Sequence, residues 1–232
     1  MLSSIIPRYF HPKQQYPLLF IAFLSIVSCH TFADIVIGMV GKTKNDSFYL
    51  QSFKGCLTFA ESHKNMRCIY DGANNYQDIR SQNIIVNDLL KKGIDGLLIS
   101  ITDSEFLAKD SLQALKENNI PVITFDSDLL PEHQKFRLAY VGTDNFNFGK
   151  ALGTYIKKFA KQDDNYLCLQ SGHSSAPNLN ERIAGVRYAL SEQSTERLSG
   201  KNGWFESARC PLYSLGKRAS ALNQLLFIID RE

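Results

Sequence analysis

The sequence predicts an α/β protein built on a parallel sheet, and three observations predict it. From Asp34 onward, short apolar runs rich in β-branched residues alternate with stretches whose apolar residues recur at helical spacing, the order that joins parallel strands by helical crossovers. The runs are nearly continuous, as in "DIVIGMV" and "GLLIS", which suits strands covered on both faces. They also end abruptly in carboxylates and hydroxyls, as in "VITFDSD" and "AYVGTDN".

Taken in order, Asp34–Val40 reads as a buried strand ending at Gly41, and residues 47–64 as a helix with Tyr49, Phe53, Cys56, Leu57 and Ala60 on one face. A strand over 66–70 precedes a helix over 76–92, with Ile79, Val86, Leu89 and Leu90 inward and Gly93 as its stop. Then come a strand (96–100), a helix (105–118), a strand (121–125) and a shorter strand (138–142). The pattern restarts at Asn145: a helix over 146–161 with Phe148, Leu152, Tyr155, Ile156 and Phe159 inward, a strand over 166–170, the loop "SGHSSAPNLN" and a helix over 181–193. Beyond that, Gly200, Gly203 and Pro211 interrupt any period. Only 217–228 reads as a further helix, and no strand is expected from 194 onward. The organisation expected is therefore a leader (1–33), an N-terminal lobe (34–144) and a partial second lobe (145–232) holding a single strand.

The leader has Arg8 and Lys13 before the apolar block "YPLLFIAFLSIVS", then Thr31-Phe32-Ala33 and no acidic residue, the signature of a secretory signal peptide cleaved after Ala33. Its apolar core is short of the roughly 20 residues that span a bilayer. "IVSC" offers a second reading, a lipoprotein box with Cys29 carrying lipid. Beyond the leader the basic and acidic side chains nearly balance, since two of the 26 basic residues lie in it and none of the 23 acidic ones do. That balance excludes the concentrated basic face of a nucleic-acid partner. Cys56, Cys68, Cys168 and Cys210 show no C-x-x-C spacing, so metal and redox readings are weak and no cofactor is implied. In an oxidising compartment they form two bridges or remain buried thiols; their positions on an apolar helix face and inside strands favour buried thiols.

Open parallel sheets bind ligands in the crevice beyond the carboxyl ends of their strands. Asp46, Ser100, Thr102, Asp103, Asp126, Ser127 and Ser171 all follow strand C-termini, so they share one polar edge, which is expected to face a ligand.

The motifs "NDSFYLQSFKGCLTFAE", "GIDGLLISITDS", "IPVITFDSD", "AYVGTDNFNFGKALG" and "NERIAGVRYAL" together resemble the ribose-type periplasmic sugar-binding proteins. The resemblance implies a type I periplasmic-binding fold, a Rossmann-like parallel-sheet N-terminal lobe plus a second α/β lobe, here incomplete, hinged over a small sugar or polyol. Carried over, Phe48 and Tyr49 match the aromatic pair on the sugar's apolar face, although Tyr49 also fits the core of the first helix. Asp46 stands near a family Asn, Ser100 replaces another, and Asp103 lies on the same edge. Asp126 matches the ligand carboxylate, suited to adjacent hydroxyls; its other reading is a turn cap. Ser127 stands where ribose binders carry Arg, and Arg182 matches the second-lobe arginine or is a helix-surface arginine. Family members continue through further second-lobe strands and cross back to the first lobe, elements this sequence does not contain.

The resemblance implies a monomeric solute-binding protein that delivers a small sugar or polyol to the membrane permease of an ABC importer. A periplasmic sensor signalling to a membrane kinase or chemoreceptor is the alternative, as is a non-functional remnant. Enzyme readings fail on the motifs. "GHSSA" lacks the second glycine of a nucleophile elbow, and His173 in it has no evident Asp partner. "GKTKND" lacks the ending of a phosphate loop.

Overall fold

The computed structural model describes residues 34–76 and 78–230; the leader, with the cleavage and lipidation readings at Ala33 and Cys29, lies outside the described residues. Strands β1 (Ile35–Gly41), β2 (Met66–Gly72), β3 (Gly96–Ile99), β4 (Val122–Phe125) and β5 (Ala139–Val141) form one sheet, ordered β2-β1-β3-β4-β5. Every pairing in it is parallel, as the continuous apolar runs predict. The strand order reverses at β1, because the chain steps out to β2 and then crosses back to β3. A crevice opens at such a reversal, beyond the carboxyl ends of β1 and β3.

Helices α1 (Ser47–Glu61), α2 (Ile79–Lys91), α3 (Ser104–Ala108) and α4 (Ser111–Glu117) fill the crossovers. Val86 and Leu89 of α2 and Leu112 and Leu115 of α4 join Val36, Val40, Leu97, Ile99 and Val122 of the strands in one buried core. Right-handed crossovers put α1 on the opposite face, since its connection runs the other way along the sheet. There only Tyr49 of α1 is fully buried; Phe53 stacks on Tyr70 of β2 at 5.1 Å, and Leu57 is exposed. The single helix expected over 105–118 is broken at Lys109–Asp110. Asn83 of α2 donates to the Asp110 carboxylate and accepts from the Ser111 amide, which fixes a non-helical turn there.

The second part holds α5 (Asn145–Ile156), β6 (Asn165–Leu167), β7 (Gln170–Ser171), α6 (Pro177–Leu190), β8 (Trp204–Glu206), β9 (Leu212–Tyr213) and α7 (Arg218–Ile229). The expected lone strand is corrected: β6 pairs with β8 and β7 with β9, both parallel. β8 and β9 carry apolar runs of only two residues among Gly203, Pro211 and Gly216, so the sequence pattern passes over them. Arg187 of α6 grips the fully buried Glu206 carboxylate through two bonds of 2.9 and 2.8 Å, fastening β8 to the helix. A small core of Val186, Leu190, Leu198 and Trp204 lies alongside.

The inward face expected for α5 is also corrected. Phe148, Leu152, Tyr155 and Phe159 are exposed, while Asn145, Gly149 and Gly153 are buried. Glycine explains the reversal. A Cβ at Gly149 would lie 2.1 Å from the Arg182 carbonyl oxygen, and one at Gly185 of α6 would lie 2.2 Å from that of Phe146. The two backbones touch on their glycine faces, which turns the bulky face of α5 outward.

The four cysteines form Cys56–Cys68 and Cys168–Cys210 disulfides, not the buried thiols that their positions favour. The first ties α1 to β2; the second ties the segment after β6 to that before β9. A thiol assay of the denatured, unreduced chain is expected to find none of these four sulfurs free. By loop-closure entropy over separations of 12 and 42 residues, paired serine substitution is expected to cost about 3 kcal/mol at the first bridge and about 4 kcal/mol at the second, read from urea unfolding.

Candidate ligand site

The carboxyl edge of the sheet is held open by a buried glutamine. Gln82 of α2 donates to the Ser100 carbonyl at 2.8 Å and accepts from the amide and hydroxyl of Thr102 at 3.0 and 2.7 Å. A polar side chain with no exposure is tolerated because its groups are paired, and it fixes the path of the loop after β3. After β4 the chain turns at Asp126, whose φ of 59° lies in the left-handed region that Asp and Asn tolerate best. The Tyr140 hydroxyl bonds the Asp126 carbonyl at 2.9 Å and holds the turn.

That turn aims the Asp126 carboxylate into the crevice. One oxygen accepts from Ser100 Oγ at 2.8 Å and Tyr49 Oη at 3.0 Å; the other accepts from Asn178 Nδ2 at 3.3 Å. Lys42 Nζ stands 3.9 Å away and donates to Asn178 Oδ1 at 2.8 Å. Lys42 follows β1, and Asn178 opens α6, so this cluster joins the two parts of the chain. Ser175 Oγ makes a second crossing bond, to the Thr102 carbonyl at 3.1 Å.

Around the cluster lies a cavity of about 330 Å³, whose walls include Lys42, Phe48, Tyr49, Tyr76, Asp126 and Arg182. Of the residues expected from sequence, Asp46, Phe48, Tyr49, Thr102, Asp126 and Arg182 line it. Phe48 is 53% exposed, whereas Tyr49 is 3% exposed, its ring edge-on to Phe48 at 5.2 Å. Ser100, Asp103 and Ser127 are not in the wall. Ser100 is buried beneath Asp126 as its donor. Asp103 caps α3 by accepting from the Phe106 amide at 2.9 Å. Ser127 is fully buried, with its hydroxyl unpaired among the described residues. Arg182 donates through Nε to Asn145 Oδ1 at 2.8 Å and lies over the Phe148 ring at 4.9 Å.

Sequence reasoning missed Lys42, Tyr76, Asn178 and His173. Lys42 sat in a stretch rejected as a phosphate loop, and nothing local marks it as buried. His173 was set aside for want of an Asp partner; it lines the cavity, and its Nδ1 accepts from the Ser175 amide at 3.2 Å. Burial holds its pKa below the ordinary value, with Asp103 opposing; because Nδ1 accepts from an amide, the neutral ring carries its proton on Nε2. Burial also pushes the Tyr49 and Tyr76 hydroxyls upward, with Asp126 and Asp46 respectively adding to the shift, so both remain donors. Among the described residues no group of three His, Cys, Asp or Glu is placed to hold a metal ion, and no helix is long and apolar enough to cross a membrane.

Burial lowers the Lys42 pKa from 10.5 to about 8, with Asp126 opposing and Arg182 reinforcing the shift. Between those values the unfolded chain binds more protons than the folded one, so the Lys42 contribution to stability rises with pH. The expected outcome is that the unfolding free energy of the wild type, minus that of Lys42→Met, grows from pH 8 towards about 10, where tyrosines begin to titrate. A flat difference in urea unfolding across that window contradicts a lowered pKa at this buried amine.

A family model described as "Periplasmic binding protein domain" matches residues 37–210, the larger part of the chain. The D-ribose/D-allose-binding protein of Pseudomonas aeruginosa is 27% identical over 187 residues, covering 79% of this chain and 58% of that protein. The ribose import binding protein RbsB of Bacillus subtilis is 29% identical over 123 residues, 53% of this chain and 38% of the relative. The fold is shared with an ABC transporter solute-binding protein from Agrobacterium vitis solved with bound D-fucose, at a TM-score of 0.72 and 22% identity, over 84% of this chain and 63% of that one. The chain thus spans less than two thirds of the length of these relatives. With the family model covering both the five-stranded sheet and most of the second part, this chain belongs to the periplasmic binding protein domain family.

Proposed function

We propose that this chain is a periplasmic solute-binding protein that captures a small sugar or polyol and presents it to the membrane permease of an ABC importer. The observation that carries the reading is the cavity at the strand-order reversal, with a carboxylate at its base and aromatic rings on its walls. A sugar offers C–H faces that pack on rings such as Phe48, and hydroxyls and ring oxygens that pair with charged groups such as Asp126 and Arg182. A volume of about 330 Å³ is at the small end of ligand pockets, which suits one monosaccharide. The ribose/allose-binding and ribose-import names of two relatives support the same ligand class. Under this reading, residues 34–144 and 145–232 act as two lobes that separate to admit ligand and close over it. The bonds from Asn178 to Lys42 and Asp126, and from Ser175 to Thr102, are closing contacts. The protein acts as a monomer, exported by the leader at 1–33.

The test keeps the turn intact. Asn tolerates the left-handed backbone at Asp126 whereas alanine is strained there, so Asp126→Asn keeps the turn while it removes the charge and converts one acceptor oxygen into an amide donor. Calorimetry against a panel of neutral and acidic monosaccharides is expected to show binding to the wild type, weakened about 10- to 100-fold in the variant, the worth of a charged hydrogen bond. Equal affinities contradict the placement of the site at Asp126.

A further inference from the structure

The cavity holds a mismatch between donors and acceptors. Both carboxylates in its wall already accept bonds from the protein, two at Asp46 and three at Asp126. Asp46 accepts from the Phe48 amide at 2.9 Å and from Tyr76 Oη at 2.6 Å. Asp126 accepts from Ser100, Tyr49 and Asn178, three of roughly four lone-pair positions. Asn178 Oδ1 is taken by Lys42, and His173 Nδ1 by Ser175.

Donors, by contrast, are left over. Arg182 uses Nε on Asn145, and among the described residues its two terminal nitrogens meet no acceptor and no carboxylate lies within ion-pair distance of it. It lines the cavity beside the buried Lys42 ammonium, which has three protons and one short bond. His173 adds its Nε2–H. The N-terminus of α6 at the same wall has no side-chain cap, so no further acceptor comes from there.

Resting on the reading of this cavity as a sugar site, we propose that its ligand is a carboxylated sugar or polyol, an aldonate or uronate, with the carboxylate on the free fork of Arg182. A planar guanidinium fork matches a carboxylate through two parallel bonds. A neutral sugar fits less well, because each of its hydroxyls brings a further donor into a cavity where free donors already outnumber the remaining acceptor positions, and an unpaired buried O–H is costly. Arg182 is then the residue that sets specificity, while Asp126 and Lys42 order the floor beneath the ring.

The experiment is calorimetry on the exported chain near neutral pH with D-galacturonate and D-gluconate against D-galactose and D-ribose. The acids are expected to bind roughly tenfold or more tightly than the neutral sugars, and Arg182→Gln to collapse that preference to within about threefold. A thermal melt of the variant shows whether it remains folded, and the wild-type preference stands as a test without it. Neutral sugars binding as tightly as the acids overturn this inference and leave the sugar-binding reading in place. Failure of every sugar to bind overturns both.

Discussion

The arrangement of the site depends on one constraint, that the Asp126 carboxylate is turned into a crevice where little water reaches it. A carboxylate that is largely withdrawn from water, here with 19% of its side chain exposed, is costly unless it is paired. Here it draws in groups from four places: Tyr49 from α1, Ser100 from the end of β3, Lys42 from the end of β1 and Asn178 from α6. Each is set in position by ordinary fold physics. The strands deliver Lys42 and Ser100 to one edge, Gln82 fixes the β3 loop, and the N-terminal turn of α1 brings in Tyr49. Asn178 reaches the cluster because α6 lies against α5, and α5 follows β5 directly.

The contact between α5 and α6 therefore also shapes the wall of the cavity. The glycine faces at Gly149 and Gly185 allow the backbones to touch, and the two helices carry Asn145 and Arg182, which bond each other at 2.8 Å. The same packing that leaves Phe148 and Leu152 exposed sets the guanidinium over the Phe148 ring, with its terminal nitrogens unpaired among the described residues. One bond and one ring hold the arginine, and its charge remains available.

Much of this was legible in the sequence, and the reasons differ by element. The first four strands and their helices have clear periods because they are long enough to bury a face, β5 was read from the wider apolar run around it, and the polar residues after β4 mark through the parallel-sheet rule the edge where the cavity lies. Asp126, Phe48, Tyr49 and Arg182 follow from those placements and from resemblance. The short strands β8 and β9 escaped because each carries an apolar run of only two residues among Gly203, Pro211 and Gly216. The face of α5 was misread because hydrophobic spacing assumes that the bulky side is buried, whereas close helix packing selects the glycine side. Lys42 and Asn178 are 136 residues apart, and no local pattern announces that they meet. Ser100, Asp103 and Ser127 lie on the correct edge, yet edge position alone does not decide whether a side chain faces the cavity, supports a neighbour or caps a helix.

The measurement that tests the central claim most directly is a crystal structure of the wild-type chain grown with a saturating monosaccharide or sugar acid. The account predicts ligand density in the crevice beyond β1 and β3, with one ligand oxygen in hydrogen-bonding reach of Asp126 and others on Arg182, and with Tyr49, Ser100 and Asn178 still around the carboxylate. Ligand bound elsewhere on the chain, with this crevice holding only solvent and the Asp126 cluster unchanged, contradicts it.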